Sequence, residues 1–95
     1  MINMSRQGQE IKINYTNKFL RQVSQLRPEI IERVKQQDLF FRENPFDSRL
    51  DTHKLKGKER GVWSFWVTGS VRVKFVFLKD KEVLFLEAGT HDIYF

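Results

Sequence analysis

The spacing of apolar side chains changes once along this chain, from helical to alternating, and that change limits it to a small set of architectures. Phe19, Leu20, Val23 and Leu26 recur at helical spacing behind Thr16, which can cap a helix. Arg27-Pro28 breaks that helix, and Pro28 suits the first turn of the next one. Ile30, Ile31, Val34 and Phe41 carry a second stripe to about Glu43, with Leu39 and Phe40 at its edge, and Asn44-Pro45 stops it. The spacing therefore predicts a helical hairpin.

After a turn-rich connection over 46–52 the period becomes two. His53–Lys56 reads as a short extended piece. Val62–Thr68, Val71–Leu78 and Val83–Ala88 alternate, joined by Gly69-Ser70 and Lys79-Asp80-Lys81 as tight turns. Ahead of the helices, Glu10–Tyr15 reads as one more strand, with Ile11 and Ile13 on one face. The order predicts an α+β domain: an N-terminal strand and a helical hairpin packed on one face of a small antiparallel β-sheet. A chain of 95 residues makes one domain over 1–95, with polar residues 1–9 a loose arm. Its core is small and leans on nine Phe and two Trp, whose large side chains bury much apolar area.

Alternation also sorts the faces. Val71, Val73, Phe75 and Phe77 share the core side, which turns Arg72 and Lys74 to the face left open by the helices. Those cations belong to a concentrated group. Residues 53–78 hold Lys54, Lys56, Lys58, Arg60, Arg72 and Lys74 against Glu59 alone, whereas the rest of the chain has 11 basic and 11 acidic residues. The whole net charge of +5 lies in one segment. Clustered Lys and Arg replace counterions along a phosphate backbone, so the segment fits a polyanion, RNA foremost. The alternative is a solvated basic face that serves only solubility.

The chain has no cysteine, which excludes disulfides and thiolate zinc sites and favours a reducing cytoplasm. No apolar stretch is long enough for a signal peptide or a membrane span. Two lone histidines among scattered carboxylates show no metal-ligand spacing, so neither metal nor cofactor is expected. Glycine-rich phosphate loops are absent too.

Those histidines, His53 and His91, flank the basic segment. Cleaving RNA without a metal needs a base for the 2′-hydroxyl proton, an acid for the departing 5′-oxygen, and cations around the phosphate. Two histidines beside a Lys- and Arg-bearing sheet can supply all three, although two surface histidines in a small domain are ordinary. Trp63 and Phe65 alternate with Trp66, so one face of that strand shows an aromatic away from the core. Tyr94 and Phe95 end the chain, either stacking on an RNA base or pinning the tail to the sheet.

His53-Lys54-Leu55-Lys56-Gly57, Gly61-Val62-Trp63-Ser64-Phe65, Val71-Arg72-Val73-Lys74-Phe75 and Gly89-Thr90-His91-Asp92 together resemble the RelE/ParE toxin superfamily, and above all its YafQ-like, RelE/StbE branch. The resemblance spans roughly residues 11–95, with its distinctive motifs in 53–95. It implies the RelE-like microbial RNase fold and the toxin of a type II toxin–antitoxin pair. Members of the RNase branch cut mRNA in the ribosomal A site without a metal, and a cognate antitoxin covers the active face. Carried over by position, His91 is the general acid and His53 the general base. Lys56 and Arg72 act with them on the scissile phosphate. The basic segment adds Lys54, Lys58, Arg60 and Lys74 as expected RNA contacts, and Phe95 or Tyr94 is expected to stack on a base. The antitoxin is expected to be acidic and to carry the complex to operator DNA. Trp66 and Ser70 stand where the YafQ-like pattern has a histidine and an aspartate. Two other classes remain open: a ParE-like gyrase poison, and a non-catalytic basic module regulated by its partner.

Overall fold

A computed structural model describes residues 11–57 and 59–90. The elements run β1 (Lys12–Tyr15), α1 (Asn17–Ser24), α2 (Pro28–Glu43), a 3-10 turn (Ser48–Leu50), β2 (His53–Lys54), β3 (Trp63–Thr68), β4 (Val71–Phe77) and β5 (Glu82–Gly89). The helical hairpin and the meander fall where the spacing predicts. The loose arm expected over residues 1–9 lies outside the described residues.

Thr16 caps α1 through its side chain, accepting from the Phe19 N–H at 2.9 Å, and donates its hydroxyl to the Leu86 carbonyl at 2.7 Å. One side chain thus starts the helix and fastens it to β5. Pro28 opens α2 in the first turn, where a missing N–H costs nothing.

All five strands form one sheet in the order β1-β5-β4-β3-β2. The meander β2 to β5 is antiparallel, as expected. Strand β1 departs from that pattern: it joins the edge in parallel with β5, pairing Ile13 with Val83. A four-residue strand carries no mark of direction, and its partner lies some 70 residues away.

Helices and sheet enclose Phe41, Phe65, Phe75 and Phe85, each at most 1% exposed. The Phe41 ring lies 4.9–5.2 Å from the other three, edge-on to Phe75 and Phe85. Gln37 sits on the same buried stripe of α2. Its amide donates to the Trp66 carbonyl at 2.9 Å and the Arg49 carbonyl at 3.0 Å, tying α2 both to β3 and to the 3-10 turn. Phe77, on the core side by alternation, is at the end of β4 and 38% exposed, where it packs with Phe46 and Trp63. Among the described residues, no helix is long and apolar enough to cross a membrane.

Candidate active site

The turn before β2 decides where His53 sits. Asp47 caps the 3-10 turn, its carboxylate accepting from the Arg49 N–H at 2.9 Å and from the Arg49 guanidinium at 2.8–2.9 Å. Those bonds hold the Asp47 carboxyl down at about 2. Leu50 is fully buried and anchors the turn in the core. Asp51 then takes the left-handed conformation, φ 47° and ψ 49°, which aspartate tolerates better than most residues. That reversal lets β2 begin at His53, opposite Ser64.

Cross-strand register puts His53, Ser64, Arg72 and Lys74 on one face of the sheet, away from the helices: His53 pairs with Ser64, Ser64 with Lys74, and Trp66 with Arg72. Arg72 is the hub of this face. Its Nε donates to the buried Ser64 hydroxyl at 3.0 Å. One terminal nitrogen donates to the Asp51 carbonyl at 2.7 Å and lies 3.3 Å from His53 Nδ1. The other reaches the Asp51 carboxylate at 3.3 Å. Three hydrogen bonds that do not depend on the histidine tautomer fix Arg72, whose side chain is only 17% exposed.

His53 Nδ1 also lies 3.1 Å from the Asp51 carbonyl. With a proton on Nδ1, the ring donates to that carbonyl and Nε2 becomes the basic nitrogen. With Nδ1 bare, the ring accepts from Arg72 and Nε2 carries the proton. The first form suits a general base.

The other expected cations are not all brought to this spot. Lys74 has the register of the open face, but its side chain is 3% exposed and its ammonium is 2.8 Å from the Glu59 carboxylate. Lys74 is thus a buried ion-pair partner of Glu59 here and not an open phosphate contact. Lys54 points to the opposite side from His53, its ammonium 5.8 Å from the centre of the Trp63 ring. Lys56 and Arg60 are exposed on the loop between β2 and β3, which turns through Gly57 and Gly61 at φ near +75°. Lys58, His91, Tyr94 and Phe95 lie outside the described residues.

Trp66 and Ser70 add no acid or base. The Trp66 indole donates to the Gly69 carbonyl at 3.0 Å, beside the Arg33 guanidinium. Sequence reasoning missed Asp51, Ser64 and Glu59. Ser64 had a signal, since alternation within Trp63–Trp66 puts it on the face of Arg72. The roles of Asp51 and Glu59 depend on loop geometry that no periodicity carries. Among the described residues, no three His, Asp or Glu side chains converge as metal ligands do.

A sheet of this order packed against a helical hairpin is an α+β fold, and solved toxin structures share it. No protein-family model and no curated protein matches the sequence. Solved structures do. YafQ from E. coli superposes with a TM-score of 0.73 at 20% identity, over 90% of this chain and 99% of its own. A YoeB/ParE toxin from Agrobacterium tumefaciens gives 0.74 at 16% identity, over 85% and 99%. The RelBE2 toxin–antitoxin complex from Mycobacterium tuberculosis gives 0.72 at 18% identity, over 86% and 99%. At these identities the likeness establishes the fold, which is the RelE-like one that the sequence motifs imply.

Proposed function

We propose that this chain is the toxin of a type II toxin–antitoxin pair, an endoribonuclease that cuts mRNA on the ribosome without a metal. The observation that carries this reading is the meeting of His53 and Arg72 at 3.3 Å on the open face of a fold shared with YafQ. A base and a fixed cation on one exposed surface are what phosphodiester transesterification requires.

In this mechanism His53 Nε2 takes the proton of the 2′-hydroxyl. The 2′-oxygen attacks phosphorus, the bond to the 5′-oxygen breaks, and that oxygen receives a proton from His91. The products are a 2′,3′-cyclic phosphate and a free 5′-hydroxyl. Arg72 and Lys56 stabilise the charge that grows on the phosphoryl oxygens. Gly89 pairs with Arg72 across β4 and β5. His91 follows two residues later in the sequence. Lys58 and Arg60 would hold flanking phosphates, and Phe95 or Tyr94 a neighbouring base; Lys54, turned to the other side, is left out of this set. An acidic antitoxin would neutralise the +5 surface and bring the complex to operator DNA, all within the cytoplasm.

The test is a translation extract charged with a defined mRNA and protein pretreated with chelator. The parent should cut within the reading frame, and His53→Ala or His91→Ala should lose most of that cutting. Full activity in His91→Ala sinks the acid assignment. Intact mRNA together with inhibited gyrase supports the ParE-like alternative, and salt-sensitive RNA binding without cutting supports the passive module.

A further inference from the structure

We infer that the Asp51 carboxylate is a built-in placeholder for an RNA phosphate: it occupies Arg72 in the free protein and is displaced when RNA arrives. The inference rests on the reading of the open face as an RNA site and adds a control on its affinity.

The two acid–base pairs of this face differ in kind. Lys74 and Glu59 meet at 2.8 Å, with the lysine 3% and the glutamate 35% exposed. Asp51 meets Arg72 at 3.3 Å with its own side chain 72% exposed. Charge-assisted hydrogen bonds favour about 2.7–2.9 Å. The Lys74 pair is at that optimum with its acid largely covered, whereas the Arg72 pair is longer and its acid stands in solvent. Moving the Asp51 carboxylate into solvent therefore breaks one long contact and opens one terminal nitrogen of Arg72.

Arg72 would not collapse when this happens. Ser64 holds Nε, and the Asp51 backbone carbonyl holds one terminal nitrogen at 2.7 Å. Neither contact needs the Asp51 side chain. The terminal nitrogen released is the one aimed at an exposed anion already. A phosphate oxygen entering there would find a donor in place, next to His53. Asp51 thus has two separable parts. Its carbonyl positions Arg72 and His53, and its carboxylate competes with substrate.

The separation makes the test specific. Asp51→Asn keeps the left-handed backbone, which asparagine also accepts, and keeps the carbonyl while removing the competing charge. Binding is read with a fluorescent single-stranded RNA blocked by 2′-O-methyl groups, so that cleavage plays no part. Asp51→Asn should tighten binding about 2- to 5-fold at low salt, the range of an exposed ion pair, and the gain should shrink as salt rises. In an Arg72→Gln background the same change should give little or nothing. Asp80→Asn, an acid in the distant β4–β5 turn, measures the effect of net charge alone. Unchanged or weaker binding by Asp51→Asn overturns the placeholder. So does a gain that persists without Arg72 or is matched by Asp80→Asn. If neither the parent nor any variant binds the RNA in a salt-dependent way, the RNA reading of the face falls with it.

Discussion

Gln37 joins the core to the candidate site, and replacing it with leucine separates the two. Its amide supplies one hydrogen bond to the Trp66 carbonyl and one to the Arg49 carbonyl, at 2.9 and 3.0 Å, in a position 1% exposed. Leucine fills much the same volume and donates nothing. Each carbonyl left without its donor in these part-buried positions costs up to about 1–3 kcal/mol. Part of that is returned, because leucine gains from burial and no amide has to be desolvated. The net loss should be about 2 kcal/mol, which for a domain of this size lowers the melting temperature by about 8–16 °C. Urea denaturation followed by circular dichroism gives the free energy. The effect should also be local. Arg49 belongs to the turn that ends in Asp51, and the Leu50 and Asp51 amides donate within that turn, to Asp47 and Ser48. Hydrogen exchange at those two amides should quicken more than at the centre of β4. A Gln37→Leu protein within about 0.5 kcal/mol of the parent, or one that loosens β4 as much as the turn, would refute the linkage of α2 to the site.

Other perturbations separate core from site. Phe41→Ala removes a ring packed against three others and should cost about 3–5 kcal/mol, read by the same denaturation. Asp47→Asn tests the cap through pH. The folded carboxyl lies at about 2, below its ordinary 3.8, so its stabilisation is complete above 3.8 and is lost as pH falls toward 2. The variant should be less stable than the parent at neutral pH, with that difference closing over this window in urea midpoints. Asp38 works the other way. Burial raises its carboxyl above 3.8 despite Arg42 at 3.2 Å, so its contribution declines as pH climbs through the raised value.

Much of the fold was legible because its two halves have different periods. Thr16, Pro28 and Asn44-Pro45 bound the helices through local chemistry that works in any context. The turns at Gly69-Ser70 and Lys79-Lys81 set the register of the meander, and register put Arg72 opposite the helices. What was not legible depends on contacts distant in sequence or on single loop dihedrals. The parallel seat of β1 on β5 is one case. The burial of Lys74 is another: alternation gives its face correctly, but no periodicity tells that Glu59 comes to 2.8 Å from it. Asp51 is a third, an exposed acid in a turn until its left-handed backbone aims both its carbonyl and its carboxylate at Arg72. The aromatic group of Phe46, Trp63 and Phe77 also escaped, because Phe46 belongs to no periodic segment. Of the candidate site, the pairing of a histidine with an arginine was available from spacing and family likeness. The groups that orient them were not.

The central claim is that the face carrying Arg72 and His53 cuts RNA, and mapping of mRNA 5′ ends in cells induced for this protein tests it most directly. The parent should produce discrete new ends within reading frames, and Arg72→Gln expressed at the same level should lose them. Intact message in induced cells, or an unchanged pattern of ends from Arg72→Gln, would contradict it.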